Sequence, residues 1–147
     1  LETIRSRCVE FNFFLSSKKK SEVFHKLASF YLNDNEIKID SKYFYETHGS
    51  ILRYLQILDF DTKYLKNSTS DLIIHLIDKF KKAKESINLS FLIFLIEIYY
   101  NELSLVNQNL EMNYLNKFNL LKKIDNVKKF NLDKKNLFTS IEGIFGR

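Results

Sequence analysis

A chain of 147 residues with no proline, and with glycine only at positions 49, 143 and 146, is built for helices. Without those breakers, apolar residues recurring every three or four positions can continue as helix, and short polar clusters are left to make the turns. Hydrophobic residues make up 45% of the chain and aromatic residues 15%, enough to close a core and exclude wholesale disorder. The length suits one ordinary domain or two small ones. Lys, Asn, Ile and Phe are over-used, the bias of an AT-rich genome. The net charge of +5 therefore suits a DNA-handling surface and equally a proteome in which Lys stands in for Arg and Gln.

The pattern is helical everywhere except near the start. Val9, Phe11 and Phe13 alternate with Glu10 and Asn12, as in a short half-buried strand. Ser16-Ser17 can cap a helix carrying Val23, Phe24, Leu27 and Tyr31, which Asn33-Asp34-Asn35 stops. Asp40 or Ser41 caps a second short helix with Tyr43 and Phe44, expected to end at Gly49, whose freedom to take positive φ suits a terminus. Ser50 is expected to open a third helix with Ile51, Leu55 and Leu58 on one face. Asn67-Ser68-Thr69-Ser70 reads as a polar linker.

Longer stripes follow the linker. Leu72, Leu76, Phe80 and Ala83 form one, widened by Ile73 and Ile77. Leu89 to Leu103 is apolar nearly all round, which places it at the centre of a bundle. Met112, Leu115, Phe118, Leu121, Ile124 and Val127 make another stripe; Leu137, Ile141 and Ile144, flanked by Phe138 and Phe145, make the last. The predicted fold class is all-α: a small three-helix unit, then an antiparallel bundle of four or five helices. Leu89 to Tyr100 falls short of the about 20 apolar residues a membrane span needs. No signal peptide is expected from the opening residues, and one cysteine allows no internal disulfide. The expectation is a soluble protein of the cytoplasm, with no membrane partner.

The chemistry is sparse. No Gly-x-x-x-x-Gly-Lys-Ser/Thr phosphate loop can be drawn from three glycines. His25, His48 and His75 are far apart, with no Cys or acidic partner at metal-ligand spacing, so no metal site is expected. No Ser-His-Asp or Cys-His grouping presents a local signature. Asp59 and Asp61 read as helix termination, and Cys8 as a small buried side chain. Arg7 stands out only by context. A guanidinium is permanently charged, planar and able to donate several hydrogen bonds, which suits it to a phosphate.

That context is a resemblance. Thr3-Ile4-Arg5-Ser6-Arg7-Cys8, followed by the alternating Val9, Phe11 and Phe13, is similar to the Ser-Arg-Cys segment that closes the nucleotide-binding core of bacterial clamp-loader ATPase subunits. Gly49-Ser50-Ile51-Leu52-Arg53 resembles the Gly-Ser motif of their small helical lid. In the ATP-hydrolysing subunits an arginine commonly follows this glycine by three residues; here Arg53 follows by four, which looks more like the delta-prime branch. Phe130-Asn131-Leu132-Asp133-Lys134-Lys135 is similar to the stretch that opens the last collar helix of that branch.

The resemblance implies a division of the chain. Residues 1–15 would be the tail of an ATPase-like core contributing a remnant strand, 16–62 the lid, and 63–147 the collar through which subunits form a hetero-pentamer. The chain would be the C-terminal part of a longer protein. The implied function is that of a non-hydrolysing stator subunit of the DNA polymerase III holoenzyme, a DNA-directed DNA polymerase and nucleotidyltransferase. Such a subunit helps load the sliding clamp onto primed DNA. Arg7, between Ser6 and Cys8, would serve as a finger toward ATP-Mg on the neighbouring subunit, with no cofactor in this chain. Gly49, Ser50 and Arg53 would carry the lid motif; Asn131, Leu132, Asp133 and Lys134 would carry the collar motif. Two alternatives stay open: the gamma/tau motor subunit of the same complex, and an unrelated helical interaction module.

Overall fold

The structure is a computed structural model that describes residues 14–32, 39–58, 68–82, 88–106 and 109–146. Arg7 with its Thr3–Cys8 motif, the alternating Val9, Phe11 and Phe13, the Asn33–Asn35 stop, Asp59, Asp61, Asn67 and Ala83 all lie outside the described residues. The described residues form six α-helices and one 3₁₀ helix, with no strand among them. The chain is all-α.

The N-terminal unit is α1 (Ser17–Leu32), a 3₁₀ helix (Ser41–Tyr45) and α2 (His48–Ile57). Local chemistry starts each one. The Ser16 hydroxyl accepts from the Lys19 amide at 3.3 Å, and the Asp40 carboxylate accepts from the Lys42 amide at 3.3 Å. Thr47, not Gly49, makes the next boundary. Its Oγ1 accepts from the Ser50 amide at 3.2 Å. The 3₁₀ helix thus ends at Tyr45, and Gly49 sits inside the first turn of α2 without positive φ, contrary to the expected terminus. A threonine cap satisfies an orphan amide with a side-chain oxygen, which a glycine cannot do.

This unit has its own small core of Phe24, Ala28, Phe44, Ile51 and Leu55. The Phe24 and Phe44 rings meet edge to face at 5.8 Å. Fully burying a side chain such as Phe24 contributes about 1.5–3 kcal/mol. Val23, expected on the buried stripe, is exposed. The helical period carries it off the face shared by Phe24 and Ala28.

The second unit is a four-helix bundle of α3 (Thr69–Lys82), α4 (Leu89–Val106), α5 (Leu110–Phe130) and α6 (Lys134–Phe145). Each helix packs against the next, and α6 closes back onto α3. Ser68 caps α3 through the Asp71 amide at 3.2 Å, and Asn88 caps α4 through the Ser90 amide at 3.1 Å. Thr69, read from sequence as linker, is therefore helical, and it is buried. Leu72, Ile73, Leu76, Ile77 and Phe80 bury one side of α3. Most of α4 is buried: Leu89, Phe91, Leu92, Phe94, Leu95, Ile96, Ile98 and Tyr100. By length and apolarity alone α4 could cross a membrane; here it forms the centre of the bundle.

Two stripes differ from expectation. On α5 the buried residues are Asn113, Leu120, Ile124 and Val127, while Met112, Leu115 and Phe118 are exposed. On α6 Leu137, Phe138, Ile141 and Phe145 are buried, and Ile144 is exposed. A helix with apolar residues on two faces must turn one of them away from its neighbours.

Candidate functional site

The two units meet through residues that leave the small core for the large one. Phe44 and Tyr43 are adjacent on the 3₁₀ helix, and its turn sends Phe44 into the N-terminal core and Tyr43 into the bundle core. Ile51 and Leu55 of α2 likewise stay in the small core, whereas Tyr54 and Leu58 enter the large one. The Tyr54 ring stacks on Phe91 of α4 at 4.2 Å with 10° between the planes, and Phe94 tilts against it at 5.6 Å. Sequence reasoning assigned Ile51, Leu55 and Leu58 to one face and missed this division.

A polar cluster borders the aromatic contact. Lys42 Nζ lies 2.8 Å from Glu102 Oε1 on α4, and Thr69 Oγ1 donates to Glu102 Oε2 at 2.6 Å. Lys42 also reaches Thr69 Oγ1 at 3.4 Å and lies 5.4 Å from the Tyr43 ring centroid. The cluster joins the 3₁₀ helix, the first turn of α3 and the last turns of α4. Lys79 of α3 adds a bond to the Ile57 carbonyl at 2.6 Å, at the end of α2. Burial, then the carboxylates of Glu102 and Asp40, push the Tyr43 phenol up to about 12. Burial also raises Tyr54, with Glu46 adding to it and Ser50 and Arg53 opposing, and raises Tyr100.

A groove of about 330 Å³ opens beside this cluster, lined by Lys20, Lys42, Tyr45, Asn101, Glu102 and Leu105 among others. Its charged groups are already engaged. Lys20 Nζ donates to the Phe44 carbonyl at 3.0 Å, and Lys42 holds Glu102. Among the described residues no group of His, Cys, Asp and Glu could hold a metal. His48 Nε2 is 2.8 Å from the Lys20 carbonyl, tying α2 to α1, and His25 is exposed beside Phe24. The arrangement fixes two helical units against each other.

The predicted site residues fall in separate places. Ser6, Arg7 and Cys8 lie outside the described residues. Gly49 and Arg53 are exposed on α2, and the Ser50 hydroxyl is 3.0 Å from that of Thr47. Asn131 and Asp133 form the turn between α5 and α6. Asn131 adopts the left-handed conformation, φ 49°, and the Leu132 amide reaches back to the Val127 carbonyl at 3.1 Å. The Asp133 carboxylate then caps α6 through the Lys135 amide at 2.9 Å. Asn131 and Lys134 share a depression with Asn88, at the start of α4, and Lys128, in the last turn of α5. Lys42, Thr69 and Glu102 were not singled out from the sequence. The available signal was Glu102 itself, one of two acids, with Glu97, on a largely apolar helix. No family model, curated protein or solved structure matches this chain.

Proposed function

We propose that this chain is part of a stator subunit of the bacterial replicative clamp loader, in the cytoplasm, and does not itself hydrolyse ATP. In that reading α1, the 3₁₀ helix and α2 are the lid, and α3–α6 are the collar that joins the other subunits in a hetero-pentamer. Arg7 is offered in trans to ATP-Mg on the adjacent subunit, in a complex that places the sliding clamp on primed DNA. The observation that carries it is the order of three motifs along one chain: Thr3–Cys8, Gly49–Arg53 and Phe130–Lys135. Support comes from the all-helical fold and from Asp133, which opens the last helix where the third motif stands. The four-residue offset of Arg53 from Gly49 favours the stator over the gamma/tau motor subunit.

The test uses the full-length protein assembled with its loader partners. Arg7→Ala should leave assembly intact and slow ATP hydrolysis at the adjacent site by about 10³-fold or more, because a positive charge at the developing phosphate is lost. Arg7→Lys should restore only part of the rate, since a point charge cannot reproduce the guanidinium fork. Arg5→Ala is the control and should change little. Equal rates for wild-type and Arg7→Ala complexes, at saturating clamp and primed DNA, would remove the function proposed for Arg7.

A further inference from the structure

The outward side of α5 carries apolar side chains that the fold does not use. Leu110, Tyr114 and Phe118 stand at four-residue spacing with Leu115 beside them, and they are between 45% and 68% exposed. Four-residue spacing lines side chains up along one helix face. The Tyr114 and Phe118 rings run nearly parallel, 16° apart, with centroids at 6.5 Å. Both flanks of α5 are already engaged: Lys117 Nζ reaches Asn101 of α4 at 3.5 Å, and Lys123 Nζ reaches Ser140 of α6 at 3.1 Å. The stripe between those flanks therefore faces away from the bundle. Single exposed apolar residues need no explanation, but an aligned stripe of this size does.

Charge along the same helix is uneven. The start of the stripe has Glu111 near it, while the helix beyond Phe118 carries Lys122, Lys128 and Lys129, with Asp125 the acid among them. These three lysines are exposed, and none of the ion pairs among the described residues engages them. Lys129 instead lies 5.6 Å from the Phe130 ring centroid.

We propose that this stripe docks an amphipathic helix of another protein, with acidic residues at the end that overlies Lys122, Lys128 and Lys129. The apolar face of the partner would cover Leu110, Tyr114, Leu115 and Phe118, as in helix-in-groove recognition. Charge complementarity would set its direction along α5. A second copy of this chain fits poorly. At a net charge of +5, parallel α5 helices would stack lysine on lysine, and antiparallel ones would set lysines against the apolar half. Single-stranded nucleic acid would use the two rings and the lysines, but gains nothing from Leu110 and Leu115. The proposal rests on α5 alone and stands apart from the clamp-loader reading.

The test pans the 147-residue chain against displayed helical peptides of about 18 residues, about 27 Å long. Each has a fixed leucine face and a random choice of Glu, Lys, Gln or Ser elsewhere. Enriched peptides should concentrate Glu toward one end, and one of them made synthetically should bind less tightly as salt rises. Phe118→Asp should weaken that peptide by about tenfold or more while the circular dichroism stays unchanged, because the side chain is half exposed. Lys122→Glu with Lys129→Glu should turn the preference from Glu toward Lys. Failure to enrich any peptide, enrichment of neutral or Lys-rich ones, or full binding by Phe118→Asp would overturn the proposal. So would oligothymidylate binding abolished by Tyr114→Ala, or a dimer in sedimentation equilibrium abolished by Phe118→Asp.

Discussion

Tyr54 on α2 and Phe91 on α4 lie ring on ring, 4.2 Å apart, and both are buried. This contact carries the N-terminal unit onto the bundle, so loss of either ring opens the junction and leaves a cavity. Phe91→Ala should cost about 3–5 kcal/mol and Phe91→Leu under about 1.5 kcal/mol, read from urea unfolding midpoints. Equal losses for the two variants would contradict a packed junction.

Glu102 holds two partners of different kinds. Glu102→Ala leaves the buried Thr69 hydroxyl without its acceptor, and should cost about 1–3 kcal/mol. Lys42→Met should cost under about 1 kcal/mol, because the Glu102 side chain is partly open to solvent and water screens the pair. Raising salt should erase most of the Lys42 effect and little of the Thr69→Val effect. Identical salt dependence in both variants would refute this division.

Two turn positions should respond in opposite ways. A Cβ at Gly49 would meet nothing within 4 Å, and the helix there prefers alanine. Gly49→Ala should therefore stabilise by about 0.4–1 kcal/mol. Asn131 holds a left-handed φ of 49°. Asn131→Ala should cost about 1 kcal/mol, while Asn131→Gly should cost nothing. Thermal unfolding of the three variants checks both signs.

The Tyr43 phenol should be among the last tyrosines to titrate. Its value rises from 10.0 to about 12 because burial and then Glu102 and Asp40 disfavour the anion. The folded state keeps a proton that the unfolded state gives up. The stabilisation is thus complete below pH 10 and lost as pH climbs toward 12. Near-ultraviolet tyrosinate absorbance should show this late step, and Tyr43→Phe should remove it. Among the described residues no hydrogen-bond partner accompanies the buried Tyr43 hydroxyl, so Tyr43→Phe should be neutral or slightly stabilising.

Helices and their caps were legible in the sequence because both are local. Leu72, Leu76 and Phe80 recur at helical spacing and are buried, and Ser16 and Asp40 precede their helices with an acceptor ready for an orphan amide. Gly49 misled because glycine freedom permits a terminus without requiring one, whereas Thr47 two residues earlier supplied the cap. The candidate site was far less legible. Arg7, Gly49 and Asn131 were reached through resemblance, while Lys42 and Glu102, 60 residues apart, meet only after the two units pack.

By itself, then, the sequence determined an all-α fold, the centre of its bundle and the caps at Ser16 and Asp40, since spacing, capping and the lack of proline act within a few residues. Only tertiary structure decided which face of α5 turns inward. Both Ile124 with Val127 and Tyr114 with Phe118 satisfy helical periodicity, and α4 and α6 cover the first pair alone. Periodicity states that a face exists; the neighbours that bury it come from distant segments of the chain.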